Sequence, residues 1–199
     1  TSTHAVLFAD RSTGNAYYTG SEGGAPVRLT NTTLPRVQHL TGVATSKGIR
    51  LAYQYLKNNR VETLFGDTTM ATSTTGQVFL DQTDTTLAPL QNQSVRTTIL
   101  SLAAAPNQKS LFTLEQGGTG TVGMITDIAT SKQTPIFSSP LTEWRVSWLG
   151  TSTIALQTKA ASSVPGFLYW LDAKTKNLTK ILGNVPGLTT ITSPNLKTV

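Results

Sequence analysis

Cysteine is absent from the 199 residues, which excludes a disulfide framework, a thiolate metal site and a cysteine nucleophile. Charge is scarce as well: 13% of residues are Asp, Glu, Lys or Arg, against roughly 25% in an average soluble protein. Aromatic residues reach 7%, so a stacking platform has few residues to draw on. The longest apolar runs, AVLFA and FLYWL, fall far below the roughly 18 residues of a membrane span, and none is expected within this segment. Nothing near Thr1 has the charged and apolar regions of a signal peptide. Histidine occurs twice, as His4 and His39. That leaves a zinc site short of ligands, and no G-x-S-x-G elbow accompanies either ring for a catalytic triad. No cofactor and no metal are expected.

What fills the chain instead is threonine, about three dozen copies of it, and a branched side chain of that kind suits extended, half-exposed backbone. Low charge with abundant Thr, Ser, Asn and Gln is a texture associated with exported, cell-envelope or extracellular bacterial proteins. The formal net charge is +6, but the basic residues are spread from Arg11 to Lys197. Clustering on one face or interleaving with aromatics would mark a nucleic-acid surface, and neither is visible, so no nucleic acid is expected as partner. The densest group is Lys174, Lys176 and Lys180.

The chain repeats itself. FLYWLDAKTKNLTKIL (167 to 182) lies over VGMITDIATSKQTPIF (122 to 137) without a gap, at a period of about 45 residues that belongs to repeat architectures. Each copy reads as strand, polar turn, strand. The aspartate that closes the first strand, Asp172 or Asp127, is placed to fold its carboxylate onto amides two or three residues ahead, with a threonine adding a further bond. AVLFADRSTGNAYY at the front has Asp10 and Thr13 in the equivalent places. Asp10, Asp127 and Asp172 are therefore expected as structural turn caps.

The intervening stretches repeat more loosely as further hairpins, turning near TSKG, APNQKS, Gly150 and SPNLK. Two hairpins in 40 to 50 residues make a four-stranded blade. The expected fold is all-β: a β-propeller of about four four-stranded antiparallel repeats, or a segment of a larger one. Residues 1 to 199 are expected as a single domain, with units at 5–34, 35–94, 95–140 and 141–186, and with 187–199 starting or closing a blade. Between Asp67 and Gln93 an irregular polar stretch reads as an insertion on one rim. LAYQYLKNNRVETLF is read as a strand pair turning at Asn58 and Asn59 rather than as a helix.

SPNLKTV resembles the SPDGK turn of TolB-like and WD40-like propellers, and ADRSTGN resembles their hairpin turn. RLTNTTLPRV and FSSPLTEWRVSW also look like propeller proteins of candidate-phylum bacteria whose activity is uncharacterised. Asn195 and Leu196 stand where the pattern has Asp and Gly, and no WD dipeptide or GH pair closes a blade. The resemblance implies a fold and brings no activity with it.

Other motifs favour bland readings. GTGTVG (118 to 123) has dinucleotide-loop spacing, but a strand pattern follows where the chemistry needs a helix, so it is read as a hairpin loop. DQTDTT (81 to 86) lacks the glycine and distal glutamate of a calcium loop. Trp144 and Trp148 alternate in one strand and, with Trp170, are the candidates for a binding surface; packing between sheets is the favoured reading. The expected role is a non-enzymatic binding or scaffold module recognising a protein or glycan. The alternatives are a propeller hydrolase or peptidase-associated domain, and a surface lattice or filament subunit self-associating through its carboxyl-terminal edge strand.

Overall fold

A computed structural model describes residues 5–20, 24–45, 48–69, 91–96 and 98–190. Among them the chain is all-β, with fifteen strands, no helix, and four antiparallel sheets in chain order. The first sheet holds β1 (Ala5–Ala9), β2 (Ala16–Gly20) and the short β3 (Val27–Arg28). The second holds β4 (Val37–Thr45), β5 (Gly48–Lys57), β6 (Arg60–Thr69) and β7 (Gln91–Arg96). β8 (Ile99–Ala104), β9 (Ser110–Gln116), β10 (Thr121–Asp127) and β11 (Gln133–Ser139) make the third. β12 (Trp144–Leu149), β13 (Thr153–Thr158), β14 (Pro165–Asp172) and β15 (Leu178–Pro186) make the fourth. Every described sheet is a meander in which neighbours in sequence are neighbours in space, the building unit of a propeller. Residues 122–137 and 167–182, which repeat in sequence, form the third-to-fourth strand hairpins of two successive sheets.

The chain divides into two compact units, Thr1–Thr97 and Thr98–Val199. In the first, Leu51, Tyr53 and Tyr55 alternate along β5 and so share one face. They pack with Val37 and Leu64 against Ala16 of β2 and Leu29, which follows β3. The sheets come close: a β-carbon added at Gly42 would stand 2.8 Å from Leu7 Cδ2. β5 and β6 join through Asn58 and Asn59, whose φ angles of 50° and 60° are those of a type I′ hairpin turn. Helix periodicity in this stretch is accidental, because paired asparagines tolerate the left-handed region and leave the strands free to pair. Arg50 and Asp67 face each other across β5 and β6 in a two-pronged ion pair, Nε to Oδ1 at 2.7 Å and Nη2 to Oδ2 at 3.1 Å.

The Asp10 turn departs from expectation. Leu34 N–H donates to Thr13 O at 2.8 Å, Arg36 N–H to Arg11 O at 3.2 Å and Leu56 N–H to Arg36 O at 3.3 Å. The turn therefore sits at the end where β4 begins and β5 turns into β6. Asp10 joins β1 to β2, the first two described strands of its sheet. Asp127 and Asp172 join third to fourth. The three copies share a turn without sharing a place in the sheet.

In the second unit the third and fourth sheets lie face to face. Phe112, Leu114, Ile136 and Phe137 meet Trp144, Ile154, Leu156 and Leu171 in one core, and burying each such side chain contributes about 1.5–3 kcal/mol. The opposite face of the fourth sheet carries Leu149, Ala155 and Leu168, with Trp170, Ile181 and Leu188 packed on them. Gln157, buried on β13, holds the chain beyond β15: its Nε2 donates to Leu188 O at 2.7 Å, and its Oε1 accepts from Thr190 Oγ1 at 2.7 Å.

Candidate functional site

The recurrent chemistry of the chain is in its turns. Asp10 Oδ1 accepts from Ser12 N–H at 2.7 Å, Ser12 Oγ at 2.6 Å and Thr13 N–H at 3.3 Å. Asp127 Oδ1 accepts from the N–H and Oγ1 of Thr130, both at 2.8 Å. Asp172 Oδ1 takes Lys174 N–H at 2.9 Å, Thr175 N–H at 2.7 Å and Thr175 Oγ1 at 3.1 Å, while its Oδ2 takes Ser152 Oγ at 3.0 Å. Donors aimed at a carboxylate favour its ionised form. The Ser12 hydroxyl and amide hold Asp10 below the usual range, the Thr130 amide does so for Asp127, and the Thr175 and Lys174 amides bring Asp172 down to about 2.

The backbone repeats with equal fidelity. The N–H of Asp10, Asp127 and Asp172 donates to the carbonyl five residues on, of Asn15, Lys132 and Asn177, at 2.9 Å in each case. Four residues after each aspartate the chain enters the left-handed region: Gly14 at 78°, Ser131 at 57° and Lys176 at 63°. Only the first of these is glycine, which is why the requirement is invisible in the other two copies. These turns hold short loops in a hydrogen-bonded conformation at the ends of sheets.

The three tryptophans are not brought together. Trp144 is buried between the third and fourth sheets, where its Nε1 donates to Leu141 O at 2.9 Å. Its ring meets Phe137 edge-on at 5.7 Å and Tyr169 at 6.0 Å. Trp148 lies partly buried on the same face. Trp170 pairs across from Ala155 and points to the opposite face. A shared stacking surface from all three is excluded by strand parity.

The glycine-rich loop forms the hairpin between β9 and β10, closed by Gly117 N–H to Gly120 O at 2.8 Å. A strand follows it, so there is no helix amino terminus to face a pyrophosphate. Between this hairpin and Ser138–Pro140 lies an open pocket of about 260 Å³. No charged side chain lines it. His39 is exposed on β4, whereas His4 and the 81–86 stretch lie outside the described residues. Among the described residues no group of three or more His, Asp or Glu is placed to hold a metal. Tyr55 on β5 donates to Glu62 Oε2 at 2.7 Å, and burial together with that carboxylate pushes the phenol up to about 12, where it is no general base at neutral pH.

The chain is similar to TolB. The solved structure of TolB from Acinetobacter baumannii matches 88% of this chain and 40% of its own length, at 11% identity and a TM-score of 0.49. The chain thus spans less than half of TolB. The all-β class rests on the four sheets themselves. No family model matches the chain, and no curated protein does. Among the described residues no helix is long and apolar enough to cross a membrane.

Proposed function

We propose that the chain is a non-enzymatic binding or scaffold module of an exported or cell-envelope bacterial protein, its repeats forming one propeller domain or a segment of one, and that it recognises a protein or glycan partner through its turn loops. The supporting observation is the thrice-used aspartate cap. Each cap uses a carboxylate to fix a short loop that leaves a few side chains exposed: Arg11 and Ser12, Ala129 to Ser131, and Lys174 to Lys176. A loop ordered before its partner arrives loses less entropy on binding, and sheets supply the rigid base that such loops need.

The test is surface binding with the whole chain, presented to immobilised envelope proteins and to a glycan array. Saturable binding that disappears when residues 129–131 and 174–176 are replaced by Gly-Ser linkers, with the far-ultraviolet dichroism of the strands retained, is the expected result. Turnover of a peptide or ester substrate would favour the hydrolase reading instead. Growth of scattering mass with concentration and no partner present would favour a lattice subunit.

A further inference from the structure

Four lysines from three turns, Lys109, Lys132, Lys174 and Lys176, stand at one end of the second unit. Within the third sheet, Ile128 N–H donates to Lys109 O at 3.0 Å, tying the turn before β9 to the turn before β11. Within the fourth, Ala173 N–H donates to Ser152 O at 2.7 Å and Ser152 Oγ to Asp172 at 3.0 Å, tying the turn before β13 to the turn before β15. The two sheets share a core, and residues 140–143 join them at the other end. All four turns therefore belong to one rim. Lys109, Lys132, Lys174 and Lys176 stand exposed on it.

Four lysines stand against two carboxylates on that rim, a formal excess of +2, and among the described residues none of the four lysines is in an ion pair. Its two carboxylates, Asp127 and Asp172, are turned onto loop amides and hydroxyls. At the far end of the same sheets the charges balance, with Arg145 and Lys159 near Glu115 and Glu143 and an ion pair between Lys159 and Glu143. The unit is thus polarised along its strands, positive at the capped turns.

The chemistry of the rim selects among anionic partners. Protein interfaces are enriched in aromatics, Met and Arg and depleted in Lys and Ser, the reverse of this composition. Single-stranded nucleic acid is held on stacked aromatics and arginine planes. Here the lysines are interspersed with Asn107, Gln108, Ser131 and Thr175, all exposed. Lysine is a compact, strongly hydrated point charge, and amides and hydroxyls exchange hydrogen bonds with sugar hydroxyls. We propose that this rim binds an acidic polysaccharide, its lysines pairing with the carboxylates of successive uronic acid residues. The inference rests on the reading of the chain as a binding module and names its partner class.

Affinity electrophoresis of the whole chain in gels containing alginate tests it, with neutral dextran as control. Alginate should retard the chain and dextran should not, and the retardation should fall steeply as salt rises from about 50 to about 200 mM, as counterion release requires. The quadruple variant K109Q/K132Q/K174Q/K176Q should lose affinity by roughly two orders of magnitude at low salt, while R145Q/K159Q at the opposite end binds as before. K132Q/K176Q, changing fewer residues, should lose part of the affinity and serves if the quadruple variant does not fold. Unchanged binding by the folded lysine variants overturns the inference, and so does preference for poly-glutamate, DNA or anionic vesicles over alginate. Loss of the alginate result with a protein partner still bound leaves the binding reading standing; substrate turnover removes that reading itself.

Discussion

At the scale of the residue, the decisive position is the fourth after each capping aspartate. Ser131 and Lys176 hold a left-handed backbone that glycine adopts without cost. Ser131→Gly and Lys176→Gly are each expected to raise unfolding free energy by about 0.5–1 kcal/mol, read as a shift in urea midpoint. Gly14→Ala should do the opposite by more than about 1 kcal/mol, because its φ of 78° is joined by a steric clash: an added β-carbon would strike the Leu34 carbonyl. The aspartate and threonine of this turn are legible in the sequence, since their hydrogen bonds are local. The left-handed position is legible only at Gly14, because serine and lysine advertise no such conformation at 131 and 176.

Strands and hairpins were legible where parity and turn chemistry agree. Asn58 and Asn59 mark the β5–β6 turn, and Trp144 and Trp148 share a face as their spacing requires. Two features were hidden. The place of Asp10 within its sheet depends on hydrogen bonds to Leu34 and Arg36, contacts that no local motif encodes. The lysine rim draws on three turns spread from Lys109 to Lys176, so no short window of sequence contains it. The element most exposed to a single change is β13, which is buried from both sides. Leu156, fully buried between the third and fourth sheets, should cost about 2–5 kcal/mol on truncation to alanine, measured by chemical denaturation.

For the molecule as a whole, acid is the informative variable. Asp10 belongs to the first unit, Asp127 and Asp172 to the second, and each carboxyl is held below its ordinary value of 3.8. A depressed folded-state pKa contributes stability that is present above the unfolded value and lost as pH falls through the folded one. Stability should therefore hold down to about pH 4 and decline towards pH 2, the value that Asp172 approaches. The triple variant D10N/D127N/D172N keeps oxygens able to cap and removes the titration, so its melting temperature should vary less across that window than the parent's. An equal acid response in both would assign the loss to other groups.

Gln157 gives the molecule a mechanical property. Its amide grips Leu188 and Thr190 from β13, two strands inward of β15, across 31 and 33 positions of chain. Tension applied beyond Thr190 is delivered to the middle of the fourth sheet and must shear several ladders together. Without that grip, as in Gln157→Leu, the same pull would unzip β15 one rung at a time and yield at a lower force.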